Sequence, residues 1–452
     1  MPSDTTTPPQ VQPRKPITLA DIQDNITKTD IEGKTPQQIL VETLETILSA
    51  SQDADSGFTR LNHSIYFYNG FYWQRVDEED LGSFLLNCAC ETETQDRLTH
   101  HHTFNKGLRK QLDTLLTVII PPPRQNTVIN FFNGTYDFFN AEGRLRGFNP
   151  TDYLTYRLPV SYHPNAAAPL FHRLLNNVLP DQAHQQIIAE YIAYTFTGLR
   201  LEKALFTYGT DNFGKNALME IVTALLGEPA ISRFSLANLA GKYQRAQLFD
   251  KLLNFGGEIS HTSEVKWLKI LASGEPVTAK HSHTPTFLMQ QYGRFWLNAN
   301  ELPAHPEVTE AFYRRLIVVP FNEDIAEPDR NQHIVQTIIE KELSGIFNWV
   351  LKGLERLSRQ KGFTQNPTES ALFTGYEGQK NNVSLFIEEI GYEKCANDGI
   401  LLSELYLQYR EYCIGNDYPP LAKRYFNEQL KSLGVIVERR REGNTVLLAK
   451  TG

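Results

Sequence analysis

Residues 204–226 read ALFTYGTDNFGKNALMEIVTALL. A short apolar run, Ala204 to Tyr208, leads into Gly209-Thr210-Asp211-Asn212-Phe213-Gly214-Lys215-Asn216, and from Ala217 onward apolar residues recur at helical spacing. This is GxxxxGK placed between a strand and a helix. Glycines let such a loop curl so that its backbone N–H groups face a phosphate, and the helix that follows adds the positive end of its dipole. Lys215 is positioned to reach the β- and γ-phosphates of a nucleotide. The last position departs from the pattern, because Asn216 stands where a Ser or Thr hydroxyl would bind Mg²⁺. An amide oxygen can ligate a hard cation, with a different reach.

Downstream, Lys251-Leu-Leu-Asn-Phe-Gly-Gly-Glu258 is an apolar run ending in a carboxylate. At the end of a strand beside a phosphate, Glu258 would polarise an attacking water and approach the metal. Two successive acids are common there, and this chain has Gly257 in place of the first. Phe295-Trp-Leu-Asn-Ala-Asn300 is a second such run, ending in a carboxamide suited to sensing a γ-phosphate and its water. Asn300 fits that role better than Asn298, although Asn at a strand end is commonly a turn former. Then comes Phe312-Tyr-Arg314-Arg315-Leu-Ile-Val-Val-Pro-Phe321, two arginines before a core strand. One of them is a candidate arginine finger donated to a neighbouring subunit; the alternative is a salt-bridged surface.

Between Ala204 and Phe321 four apolar β-type runs, ALFTYG, KLLNFGGE, RFWLNAN and RLIVVPF, alternate with helical patterns. The alternation predicts a buried, mostly parallel sheet wrapped by helices, an α/β core. PLFHRLLNNVL and QQIIAEYIAYTFTG predict helices before it, and residues 334–360 a return to helix. The aromatic runs around Asn69-Gly70 and Asn133-Gly134 predict hairpins in a mixed α+β region. Residues 1–16, rich in Thr, Pro and Gln, predict a lead-in without fixed structure, and QQILVETLETIL just after Pro36 has helical spacing. The expected division is a disordered or flexible lead-in over 1–50, a mixed domain over 51–163, and a helical lead plus ATPase core over 164–365.

The chain carries 44 Lys+Arg against 52 Asp+Glu, a net charge of −8 that excludes a uniformly basic nucleic-acid coat but not a local basic surface. Four cysteines without CxxC spacing exclude a disulfide framework and a zinc ribbon. His100-His101-His102 lacks Cys or acidic partners at ligand spacing and reads as a polar turn. The start has no apolar signal region, and LDTLLTVII is too short to span a bilayer. The expectation is a cytoplasmic protein with no membrane partner.

The order of GTDNFGKN, LLNFGGEIS, LASGEPVTAKHSHTPTF, FWLNANELP and AFYRRLIVVPF resembles the superfamily 3 helicases of viruses, phages and plasmids. The likeness is specifically to the phage/plasmid primase–helicase family that includes the poxvirus primase-helicase. It extends upstream through YFYNGFYW and VINFFNGTYDF and covers some 390 residues. It implies an AAA+-like P-loop core that binds ATP and Mg²⁺ through residues 209–217 (Gly209 to Ala217), with Asn216 and Glu258 nearest the metal. It implies catalysis by Lys215, Glu258, Asn300 and Arg314 or Arg315 between subunits of a ring, expected to be a hexamer. By the same resemblance Lys280 and His281 lie on a hairpin facing single-stranded DNA in the channel, and Arg294 approaches the nucleotide. The family's upstream primase domain has no counterpart here, so primer synthesis is expected from a separate primase or polymerase.

Beyond about residue 380, VSLFIEEI, LLSELYLQYREYC and AKRYFNEQLKSLG predict three helices, and VIVERRREGNTVLLAK a two-stranded ribbon. Three helices and a ribbon predict a winged-helix domain over 380–452. Its third helix would offer Lys423, Arg424 and Lys431 to duplex DNA, and its wing Arg439, Arg440 and Arg441. Residues 420–452 hold seven basic and three acidic groups, so this piece is +4 and the rest of the chain −12. The expected function is an ATP-dependent DNA helicase or translocase in replication of a phage, plasmid or mobile element. The alternative is a DNA-binding replication-initiation scaffold that binds nucleotide but hydrolyses it weakly or not at all.

Overall fold

The computed structural model describes residues 15–26, 34–61, 64–91, 102–116, 126–139, 142–209, 212–259, 262–281, 286–300, 310–321, 332–366, 368, 382–395, 398–416, 418, 420–440 and 443–450. In chain order, β1 (Gly57–Leu61), β2 (Ser64–Tyr68) and β3 (Trp73–Arg75) form an antiparallel sheet, and β4 (Thr127–Phe131), β5 (Gly134–Phe139) and β6 (Glu142–Arg146) form a second. Both expected NG hairpins are present. Gly70 takes φ +87° in the β2–β3 connection, a left-handed conformation glycine adopts without a Cβ penalty.

The central sheet is built from β7 (Ala204–Tyr208), β8 (Ile231–Ser232), β9 (Leu253–Gly256), β12 (Arg294–Ala299) and β13 (Leu316–Pro320). Its order is β13-β7-β12-β9-β8, with every neighbouring pair parallel. A small antiparallel hairpin, β10 (Val277–Ala279) with β11 (Phe287–Met289), lies between β9 and β12 in the chain. All four apolar runs expected to be strands are strands; the two-residue edge strand β8 is too short to carry a pattern.

Alternate residues of each central strand point to opposite faces. Leu205, Leu253, Phe255, Trp296, Ile317 and Val319 join one apolar core with helices Pro169–Val178, Gln182–Tyr194, Asn212–Leu226 and Leu343–Gln360. Phe206, Phe295, Leu297, Leu316 and Val318 join a second core with Leu268 of helix Thr262–Ala272 and with the β10–β11 hairpin. With both faces covered, the strands read as continuous apolar runs rather than alternating ones.

Two expected boundaries move. Helix Leu19–Asp24 falls inside the predicted 1–50 lead-in and helix Pro36–Asp53, expected from its spacing, crosses its end, and Ile22, Ile39, Leu44 and Ile47 are buried in a core shared with Phe67, Leu85 and Leu108. The expected boundary at 163 also cuts through one core, because Ile129, Phe131, Tyr136, Phe138, Leu158 and Val160 pack with the helices that follow. The described start of the chain is therefore an ordered unit, and the β4–β6 sheet belongs to the central body.

At the C-terminal end, helical residues 382–390 are followed by β14 (Tyr392–Lys394), β15 (Ile400–Leu401), helix Leu402–Gly415, helix Lys423–Ser432, β16 (Val437–Arg440), β17 (Gly443–Val446) and β18 (Leu448–Lys450). Three helices and the β16–β17 ribbon match the expected elements, with β15 completing a three-stranded sheet. Their core is aromatic: Phe426 stacks on Tyr409 at 4.4 Å, and Phe386 meets both.

Candidate active site

In an open parallel sheet the carboxyl ends of the strands form the rim where ligands bind, at points where strand order reverses. Here that rim carries three of the expected catalytic residues. Strand β7 is followed by Gly209, whose φ of +130° is open to glycine and strained for other residues. The chain then enters helix Asn212–Leu226. Lys215, in its first turn, is 2% exposed and donates to the carbonyl oxygens of Gly209 and, at 2.8 Å, Ala299. Its ammonium therefore ties the ends of β7 and β12 together.

Glu258 follows β9, and Asn300 follows β12, on neighbouring parallel strands whose register pairs Leu297 with Gly256. The Asn300 amide donates to Glu258 Oε1 at 3.4 Å. Both residues are exposed on the rim, as is Asn216, while Ala217 is buried beneath it. Asn298 turns to helix Asn212–Leu226, donating to Met219 Sδ at 3.5 Å, so Asn300 is the carboxamide available to a ligand. The loop's Phe213 is half-buried and Gly214 buried. Thr210, Asp211 and the Asn212 side chain lie outside the described residues.

The two arginines are at the other edge of the sheet. Leu316 pairs with Ala204 at the start of β7, so Arg314 and Arg315 sit roughly 16 Å from the phosphate loop of their own subunit. Arg314 is exposed, and Arg315 Nε donates to Ser273 Oγ at 3.0 Å. Neither can reach Lys215 in the same chain.

Arg294 departs from the expectation that it approaches the nucleotide. It opens β12, at the edge away from the loop, and donates to the carbonyls of Leu199 at 2.6 Å and Thr197 at 3.4 Å while lying 3.9 Å over the Tyr194 ring. Those partners make it a structural cation that fastens the segment before β7.

Lys280 and His281 leave β10 on the connection to β11, so the expected hairpin is present; its residues 282–285 lie outside the described residues. The Lys280 amide donates to the Lys242 carbonyl at 3.1 Å, and His281 stacks on Phe287 at 5.2 Å. Arg245 was not singled out in the sequence. It is 5% exposed, donates to the carbonyls of Leu239, Ala240 and Thr278, and lies 4.3 Å over Trp267, which pins the hairpin's first strand to helix Lys242–Ala246. Nothing in its neighbourhood KYQRAQ separates it from a surface arginine.

Lys423, Arg424 and Lys431 are exposed on helix Lys423–Ser432, and Arg439 and Arg440 on β16. Arg424 pairs with Glu428 at 3.5 Å and Arg440 with Glu438, so part of this charge is balanced locally. Arg441 lies outside the described residues, as do His100 and His101. Among the described residues no group of three His, Cys, Asp or Glu could hold a metal, and no helix is long and apolar enough to cross a membrane.

Residues 58–180 match the family model described as D5 N terminal like, and residues 207–315 match one described as a family of unknown function (DUF5906). No curated protein matches the chain. Among solved structures, one described as the A form apo structure of the NrS-1 C-terminal region (305–718) is 11% identical, with a TM-score of 0.50, covering 92% of this chain and 100% of that one. Another, the A form apo structure of the NrS-1 C-terminal region, is 12% identical with a TM-score of 0.48, covering 93% and 100%. The two family matches take in the β1–β3 sheet and the phosphate-loop core, and the first of these solved structures shares the fold.

Proposed function

We propose that this chain is an ATP-driven DNA helicase or translocase serving replication of a phage, plasmid or mobile element. The observation that carries the reading is the meeting of Lys215, Glu258 and Asn300 at the ends of β7, β9 and β12, one exposed rim with a buried cation beneath it. Such a rim suits a nucleoside triphosphate. Backbone N–H groups after Gly209 and the helix N-terminus receive phosphate charge, and Lys215 turns from the Gly209 and Ala299 carbonyls to a phosphate oxygen. Glu258 takes up the proton of an attacking water, and Asn300 hydrogen-bonds that water and the γ-phosphate.

The donor set also fits Mg²⁺, which typically takes one or two protein oxygens and fills its shell with water and phosphate. Asn216 and Glu258 would hold it, and it would offset phosphate charge. Arg314 or Arg315, at the opposite edge, would serve the site of the next subunit in a ring, which we propose to be a hexamer. The C-terminal helices and ribbon would act as a winged-helix domain, placing Lys423, Arg424, Lys431, Arg439, Arg440 and Arg441 against DNA. The hairpin would carry Lys280 and His281 to a single strand.

A second reading, a nucleotide-binding scaffold with little hydrolysis, is favoured by Asn216 and Gly257, each standing where a metal-directed side chain is expected. DNA-stimulated ATP turnover, measured on the natural protein beside Lys215→Ala, tests the motor. Turnover that depends on Lys215 supports it. DNA binding without Lys215-dependent turnover favours the scaffold.

A further inference from the structure

Strand β3 of the N-terminal sheet ends at Arg75, which is exposed. Its guanidinium nitrogen Nη2 lies 3.1 Å from His281 Nδ1, a contact between residues 206 apart in sequence. In the tautomer that leaves Nδ1 unprotonated, Arg75 donates to the ring. Next to His281 in the chain, Lys280 Nζ lies 5.9 Å from the ring centroid of Tyr243, a residue 49% exposed. Lys242 is exposed next to it, with its carbonyl bonded to the Lys280 amide. Arg75, His281, Lys280, Lys242 and Tyr243 thus form one surface from three separate stretches of chain.

The composition of that surface is selective. It joins several cations to a flat exposed ring, the combination that tracks a phosphodiester backbone and stacks an unpaired base. In that tautomer the other guanidinium N–H groups of Arg75 and the Nε2–H of His281 are the donors that a phosphate beside the pair would meet. Arg75 is set in place by its neighbours: Tyr66, its cross-strand partner, is fully buried and donates to Asp250 Oδ2 at 2.7 Å.

We propose that Arg75 is a phosphate-contacting residue for single-stranded DNA, and that the strand path on this chain runs across the N-terminal sheet as well as the hairpin. This rests on the reading of Lys280 and His281 as strand contacts and extends it to a residue outside the ATPase core. Binding of a fluorescein-labelled oligo-dT to the full chain, without nucleotide, tests it by anisotropy over a series of salt concentrations. Arg75→Gln should weaken binding several-fold and flatten the log–log salt dependence by about 0.7, the share of one single-strand phosphate contact. Arg75→Lys should keep the natural slope. Arg144→Gln, an equal charge loss on the exposed part of β6, should change neither quantity.

Natural affinity and slope in Arg75→Gln would overturn the proposal, as would an equal loss in Arg144→Gln. If Lys280→Ala weakens binding while Arg75→Gln does not, the inference fails and the hairpin reading stands. If the natural protein binds no oligo-dT, or only duplex, both fail. A circular-dichroism melt of each variant ensures that a loss of binding is not a loss of fold.

Discussion

Lys215 is an ammonium taken almost wholly out of water, held by two carbonyl oxygens at the ends of β7 and β12. Burying a cation is costly unless it is well coordinated, so the position demands a partner-rich environment. Its legibility in the sequence came from the strand–glycine–helix context, and Glu258 and Asn300 were legible because each ends an apolar run. Arg294 was not, because its partners Thr197, Leu199 and Tyr194 lie 95 to 100 residues upstream. Gly257 offers a direct experiment. A Cβ built there meets nothing within 4 Å, and the residue is exposed. Gly257→Asp should therefore fold normally and raise Mg²⁺-dependent ATP turnover several-fold by adding the absent acid. Unchanged or lower turnover at saturating Mg²⁺ would mean that the site does not lack a metal ligand.

Among the elements, helices Gln182–Tyr194 and Leu343–Gln360 approach closely at Gly353. A Cβ at Gly353 would sit 2.7–2.8 Å from the backbone of Ala189 and Glu190. Gly353→Ala forces the helices apart and should cost about 1–3 kcal/mol, read as a lowered midpoint in thermal unfolding. No loss would mean that the two helices can separate freely. Glu190, fully buried, fixes the same pair by accepting from Arg356 Nε at 2.9 Å and from the Thr364 amide at 2.7 Å. Glu342 caps a different helix, accepting from the Leu170 and Phe171 amides at 3.0 and 2.8 Å. Helical periodicity announced all these helices. The caps and clamps stayed hidden because their partners lie 166 to 174 residues away. The early helix Pro36–Asp53 was legible from the helical spacing of QQILVETLETIL, and Thr35 and Gln38 form a capping box at its start, whereas helix Leu19–Asp24 is too short to carry a period.

For the molecule as a whole, the N-terminal sheet meets the central body through Tyr66, Tyr68 and Trp73 against Tyr153 and Phe249, with the Tyr66–Asp250 hydrogen bond inside the contact. Burial pushes the Asp250 carboxyl up to about 6, against an ordinary 3.8, with Tyr66, Arg75 and Lys251 pulling the other way. The folded chain keeps this proton up to about pH 6, whereas the unfolded chain releases it near 3.8. Stability thus falls as pH rises between those values, by up to roughly 3 kcal/mol, and the loss is complete above them. Asp250→Asn, which keeps an oxygen for Tyr66, should raise the melting temperature at pH 8 and leave it nearly unchanged at pH 5. An equal shift at both values would contradict the assignment. The −12 body and +4 tail were readable from composition, but the meeting of Arg75 with His281 was not, since it depends on how the N-terminal sheet docks.

The central claim is that Lys215, Glu258 and Asn300 form one hydrolytic site. The most direct test is DNA-stimulated ATP turnover of the natural protein, Lys215→Ala and Glu258→Gln, measured together with ATP binding. The account predicts turnover in the natural protein and its loss in both variants, with ATP binding lost in Lys215→Ala and kept in Glu258→Gln. Undiminished turnover in Glu258→Gln, or none in the natural protein, would contradict it.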